Sequence, residues 1–435
     1  MPQTIDTILA APEPGALPPA QPGPPPAPEA PAPVPGTWAT LTRSFRHRNY
    51  RLFFAGQMIS LVGTWMQNVA QAWLVYRLTG SSAALGLVTF MGQVPVFALA
   101  LFGGDWADRA DRRAILVLTQ TAAMVLALVL AALCLTGTVQ VWHIVVLATL
   151  LGASMAVDMP TRQSFVTDLV GKEDLPNAIG LNSSMFNLAR VLGPTAAGLV
   201  LAAVGEGWCF LLNGLSYLAV LAGLLAMRVE PRPAPPARTH ILTRLREGLE
   251  YAWRTRDIRQ VLALIAVGSV FGSSYLVLMP VFAKEVLDSG AAGFSLLMTA
   301  TGVGSLAGAL TLSLRRDGSG LWRVRFLAAL AYGAALMCFA LSRSFWLSAA
   351  LLFPVGCCMI LLMAASNTLL QTIAPDALRG RVMALFAMMF LGMAPFGALL
   401  AGFLAESIGA RWTVGLCGAA CLLGGLLLGR PRAGR

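Results

Sequence analysis

Charge is scarce in this chain. Only 12% of its 435 residues are Asp, Glu, Lys or Arg, against 57% hydrophobic residues and a mean hydropathy of +0.71. A soluble domain needs far more charged surface, so that class is excluded. Histidine is almost missing: His47, His143 and His240 lie far apart, and no zinc-type Cys/His spacing occurs. The seven cysteines sit in apolar runs, where they act as small apolar residues; Cys417 and Cys421 are one helical turn apart. There is no Walker lysine, and Gly302-Val303-Gly304 with Gly308 reads as a close-packing helix face. Catalytic, metal and nucleotide-hydrolysing roles therefore lack support, and no cofactor is expected.

Period-two alternation is also missing, which excludes a transmembrane barrel. Twelve apolar runs fill the chain instead, at about 52–76, 82–104, 114–135, 141–159, 177–204, 208–228, 258–284, 291–314, 321–342, 345–370, 380–405 and 410–429. Each is near the ~20 residues that a helix needs to cross hydrocarbon. The expected fold is an all-α integral membrane protein of twelve transmembrane helices. Its long interruption, 229–257, begins with Pro231, Pro233, Pro235 and Pro236. It continues as an amphipathic helix with Leu242, Leu245, Leu249 and Trp253 near one face. Two six-helix bundles are thus expected, 43–228 and 258–430, followed by a short tail at 431–435. Gly193, Gly198 and Gly205 recur 204 residues later as Gly397, Gly402 and Gly409, as a pseudo-two-fold repeat of the halves would produce.

The first 37 residues hold 13 of the 26 prolines and no basic residue, so 1–42 reads as a disordered Pro/Ala-rich cytoplasmic tail. It has neither the basic start nor the apolar core of a cleavable signal, which leaves insertion to the first helix. Arg43, Arg46, Arg48 and Arg51, interleaved with Phe45 and Tyr50, form an interfacial anchor. The net charge of +11 follows from loop placement. Twenty-six of 31 basic residues fall in one alternating set of loops and tails; the other set holds Arg77, Lys284, Arg343 and Arg411. This bias places both termini in the cytoplasm and accounts for the charge without nucleic-acid binding.

Between the second and third runs lies Gly104-Asp105-Trp106-Ala107-Asp108-Arg109-Ala110-Asp111-Arg112-Arg113, too charged for hydrocarbon and therefore a loop. It resembles the signature loop of the major facilitator superfamily, Gly-x-Leu-Ala-Asp-Arg-x-Gly-Arg-Arg. Gly104, Ala107, Asp108, Arg109, Arg112 and Arg113 match, while Trp106 and Asp111 depart from it. The counterpart between the eighth and ninth runs keeps only Gly308 and Arg315-Arg316. The resemblance covers about Phe45 to Gly429 and implies a secondary transporter working by alternating access. It also implies a conformational latch in which Asp108 faces helix 11, with Arg162 of the next cytoplasmic loop as a partner. A carboxylate facing a helix N-terminus, beside arginines that can pair with acids, suits that role; simple solvation of a turn is the alternative.

Helix 5 carries Gly193-Pro194-Thr195-Ala196-Ala197-Gly198, similar to the Gly-Pro-x-x-Gly-Gly element of family exporters, with Ala197 in place of a glycine. It would give a bend and a tight helix contact. With Leu175-Pro176-Asn177-Ala178 before it, the resemblance is to the branch of enterobactin and multidrug exporters.

Arg190 alone among charged residues is placed near the bilayer middle, roughly 20 Å from the helix end. It either attracts the negative part of a substrate, such as a catecholate, carboxylate or phosphate, or is satisfied by neighbouring helices. On helix 1, Gln57, Ser60, Thr64, Gln67, Asn68 and Gln71 share a face, which must meet protein or water. Asn182, Asn187, Gln93, Asn367 and Gln371 could join that cavity, with Met359, Met363, Met388, Met389 and Met393 as an adaptable wall or as core packing.

All 20 acidic residues fall in tails, loops or near helix ends. Proton antiport is therefore implied by the resemblance, with Asp158 the nearest coupling candidate and orientation of the Pro160–Arg162 turn its alternative role. Ala148 stands where the family's proton-linked motif has Arg. The reading is a monomeric exporter of amphipathic or anionic small molecules, such as siderophores or drugs, in a bacterial inner membrane, with protons as coupling ion. An uptake or lysophospholipid-flipping carrier of the same fold and a non-transporting scaffold or receptor are the rival classes.

Overall fold

The computed structural model describes residues 42–109, 111–228, 241–314 and 320–429, without the side chains of 100–109, 241–246 and 377. Every regular element among them is helical. The tails, the proline-rich start of the linker and Arg315-Arg316 lie outside the described residues, as do the side chains of Asp105, Asp108 and Arg109.

Ten segments are long and apolar enough to cross a membrane. One of them, Val141–Ala203, has 63 residues, about three bilayer cores at ~1.5 Å per residue. Gly171, at φ 71° and ψ 178°, breaks it into two. Arg48–Thr79, with 32 residues, is long enough but too polar to join that set, and it makes the twelfth span. The spans are α1 (Arg48–Thr79), α2 (Ser82–Arg109), α3 (Arg112–Leu135), α4 (141–170), α5 (172–203), α6 (Glu206–Ala226), α7 (Arg256–Val286), α8 (Gly290–Ser313), α9 (Leu321–Leu341), α10 (Phe345–Ile373), α11 (Leu378–Ile408) and α12 (Ala410–Leu428). Twelve crossings bring Thr42 and Gly429 out at one end, the terminal end. The loops after the odd-numbered spans form the far end.

Several helices outrun their apolar stretches, α4 most of all. It continues to residue 170, so Pro160 and Arg162 lie within a helix and not in the expected loop. Proline there removes one bond, to the Ala156 carbonyl, and packing of the surrounding turns carries the helix through. The polar α1 is sheathed by α5 and α6. Gly56 lets it approach the Ala219 backbone, where a Cβ would stand 2.8 Å from the carbonyl oxygen.

The glycine repeat has a common geometry in both halves. Gly193 of α5 lies against Trp65 of α1, and Gly397 of α11 against Val270 of α7. Gly198 of α5 meets Ser295 of α8, whereas Gly402 of α11 meets Ser82 and Gly86 of α2. Gly205 and Gly409 start α6 and α12 at φ 87° and 84°, a left-handed backbone that glycine enters without a Cβ clash. Arginines echo the pattern. Arg113 donates to the Leu224 and Leu225 carbonyls ending α6, at 2.8 and 2.9 Å, and Arg325 to those of Leu428 and Gly429 ending α12, at 3.1 and 3.3 Å. Both cations complete helix C-termini.

The linker helix, Ile241–Arg254, docks on the start of α11 through a Glu247–Arg381 ion pair and Gly248 against the Arg381 backbone. Leu249 and Trp253 remain exposed.

Candidate functional site

The two halves meet along α2 with α11 and α5 with α8. Among the described residues, hydrogen bonds joining them cluster toward the far end. Tyr76 donates to Glu285, Thr195 and Thr299 share a bond of 3.1 Å, and Glu406 receives Ser81, Ser82 and Ala83. Lys284 sits 5.3 Å over the Tyr76 ring, and Trp73 stacks on Phe294. This is the geometry of a molecule closed at the far end.

Arg190 lies where α5 meets α8. Pro194 lacks the N–H that would bind the Arg190 carbonyl, so that oxygen is freed from the helix ladder. Gly302 of α8 packs directly on it, and a Cβ there would come within 2.7 Å. The Arg190 guanidinium stands 5.4 Å over the Trp65 ring of α1. No carboxylate pairs with it among the described residues. Tyr275 of α7 and Tyr332 of α9 are within electrostatic reach, and both hydroxyls are buried without a hydrogen-bond partner. A cation from one half thus lies within electrostatic reach of two buried tyrosines from the other, a setting suited to an anionic group.

The polar face of α1 divides. Gln57, Ser60 and Gln67 are buried, and Gln67 accepts from Asn213 of α6 at 2.7 Å. Thr64 bonds back to the Ser60 carbonyl, Gln71 is half-buried, and Asn68 is exposed. On α5, Asn182 accepts from Tyr50 at 3.2 Å, and Asn187 donates to its own helix at Ser183, 2.8 Å. Gln93 is exposed, and Gln371 binds Asn367 one turn away at 2.5 Å. All five methionines of the expected wall are half-buried.

Asp158 is 1% exposed and fully engaged. One oxygen accepts from Thr119 and Gln120 of α3 at 2.9 and 2.7 Å; the other pairs with Arg162 at 2.5 Å, one turn along α4. Of the loop arginines, Arg112 pairs with Asp168 at 2.8 Å, and Arg113 caps α6 as above. Gly104 lies in α2 near its terminal-end limit. The described partners of Arg112, Arg113 and Arg162 all belong to their own half.

One terminal-end cluster escaped sequence reasoning. Buried Asp174 holds Arg43, Arg46 and His47, each at 2.7 Å, and fastens the expected anchor to the start of α5. The His47 hydrogen bond, with Arg46 and Arg43 alongside, keeps its carboxyl below the ordinary carboxylate range. The arginine-rich segment was legible; its acidic receptor, 127 residues or more away, had no local signal.

Comparison with known proteins gives this geometry a family. Residues 36–433 match the transmembrane secretion effectors. The chain is a major facilitator superfamily transporter. The transporter is 24% identical to the staphyloferrin A transporter of Staphylococcus aureus, over 85% of its own length and 92% of that protein's. To the multidrug efflux pump Tap of Mycolicibacterium fortuitum it is 26% identical, covering 79% and 86%. To the enterobactin exporter EntS of Shigella boydii it is 25% identical, covering 88% and 91%. Its fold matches the nucleoside transporter NupG, with TM-score 0.68 at 11% identity over 89% and 98% of the two chains. A bacterial homologue of the lysosomal transporter Spinster, inward-facing and unoccupied, matches with TM-score 0.63 at 15% identity over 90% and 97%. The expected twelve-helix, two-bundle architecture stands, and the family is one of transporters, not enzymes.

Proposed function

We propose that the transporter exports anionic or amphipathic small molecules of the siderophore or drug type across a bacterial inner membrane, in exchange for protons. Both termini lie in the cytoplasm in this reading, and the working unit is a monomer. The observation that carries it is Arg190, an interior guanidinium with an aromatic face and no carboxylate partner among the described residues. Similarity to siderophore and drug transporters supports the substrate class. Trp65 shields the cation, Tyr275 and Tyr332 supply donors once an anion enters, and the half-buried and exposed polar groups of α1 and α5 complete the wall. Gly193, Pro194 and Gly198 let α5 slide between α1 and α8. Asp158 is the residue assigned to proton coupling, as the buried carboxylate that holds the half-buried Arg162 one turn along α4. Asp108 and Arg109, with Arg112 and Arg113 behind them, latch the terminal end when it closes.

The test is accumulation of enterobactin in inside-out vesicles bearing the transporter. Uptake driven by an imposed proton gradient and abolished by an uncoupler is expected. Insensitivity to the uncoupler would remove proton coupling. Accumulation only in right-side-out vesicles would replace export with uptake, and movement of lysophospholipid alone would make the protein a lipid carrier.

A further inference from the structure

At the far end of the α2–α11 seam, one side chain bridges the halves in an unusual way. Glu406 lies two residues before the end of α11, and its Oε2 atom receives four donors from the start of α2. The Ser82 and Ala83 backbone N–H groups approach to 3.0 and 3.2 Å, and the Ser81 and Ser82 hydroxyls to 3.1 and 2.9 Å. The first N–H groups of a helix have no partner within it, and they carry the positive end of its dipole. A carboxylate of the other half supplies both the acceptor and the charge. Below this point the helices touch closely, Gly402 against Ser82 and Gly86 and Gly86 against Ala398, so Glu406 is seated by a rigid glycine contact.

We infer that Glu406 is the far-end gate of the transporter, the group whose ionised contact with the start of α2 sets how often the far side opens. Alternating access requires α2 and α11 to part at that end, and parting breaks all four bonds at once. The second far-end tie, Tyr76 to Glu285 with Lys284 above the ring, joins side chains of α1 and α7 and receives no backbone N–H of a helix start. It therefore limits the opening caused by losing Glu406 but does not replace it. Glu406 touches no substrate site; it is a positioning residue for the transport cycle.

The experiment measures spin-label distances in the full-length protein in lipid nanodiscs, with the seven native cysteines replaced. Thr138→Cys and Arg343→Cys report the far end, both in exposed loops of opposite halves. Lys172→Cys and Arg256→Cys report the terminal end, again one exposed site per half. Glu406→Gln keeps the shape and removes the charge. It is expected to raise the ratio of far-open to far-closed molecules about fivefold, with the terminal-end distance shortening in the same molecules. Glu406→Asp, which keeps the charge, stays nearer the parent protein. Removing two hydroxyl donors with Ser81→Ala and Ser82→Ala leaves the backbone pair and shifts the ratio about threefold. An unchanged far-end ratio in Glu406→Gln overturns the inference. If that variant does not fold, an unchanged ratio in the double serine variant overturns it. Broadening at both ends without reciprocity would mark loosened packing in place of gating, and would overturn it equally.

Discussion

Arg190 stands out in the sequence because so little charge surrounds it, and its place in the fold makes its test specific. Arg190→Ala is expected to lower export of an anionic siderophore at least tenfold, the equivalent of about 1.4 kcal/mol, while a neutral hydrophobic dye is affected much less. Arg190→Lys should recover only part of the loss, because an ammonium lacks the flat fork that grips carboxylate or catecholate. Equal losses for both compounds would show that the arginine serves packing. The two buried tyrosines within its electrostatic reach were not legible: a tyrosine in an apolar run looks like core until the fold places it near a charge, as at Tyr275 and Tyr332. Asp174 offers a second residue-scale test. Its carboxyl is held below its ordinary value, so the unfolded or detached form binds protons more readily. The attachment of residues 43–47 is therefore complete above the ordinary carboxylate pKa of about 4, and is lost as pH falls below it. Amide protection factors of that segment, corrected for the intrinsic exchange rate at each pH, should be high at neutral pH and fall in acid, and Asp174→Asn should make them low throughout.

Helices were the most legible elements and their ends the least. Apolar length marks hydrocarbon, yet a helix stops only where its backbone or caps require it, which is why α4 passes Pro160 and ends at Gly171. The glycines of α5 separate two uses of one residue type. Gly193 faces Trp65, whose Cβ would stand 2.3 Å from a new methyl group, while Gly180 has open space around it. Gly193→Val should therefore push α5 off α1 and abolish both stable expression and export. Gly180→Ala should be tolerated, gaining about 0.5–1 kcal/mol of helix propensity, with thermal unfolding in detergent as the readout. Similar behaviour of the two variants would refute the packing assignment. Position in the sequence could not distinguish them, since only the neighbouring helix does.

For the whole molecule, the six-plus-six plan follows from run counts and the 204-residue glycine echo, but which end is closed does not. Both arrangements of such a transporter use the same residues, and their difference in energy is spread over many contacts. The Thr195–Thr299 bond gives a direct handle on the closed far end. Thr195→Cys combined with Thr299→Cys, in a background without other cysteines, should cross-link under mild oxidation. Export should stop and then return with a thiol reductant. Full export by the cross-linked protein would mean that α5 and α8 need not part.

The polarity of α1 has a consequence for synthesis. Its buried amide at Gln67 is met by Asn213, on a helix made some 146 residues later. Until α6 leaves the ribosome, the first segment must wait in the lipid or the translocon with its polar face uncovered, inserted but not yet committed. α1 made alone should slip from the membrane under alkaline extraction, whereas the more apolar α6 made alone should stay. The polar residues available for cargo are thus also a debt carried through the first half of translation.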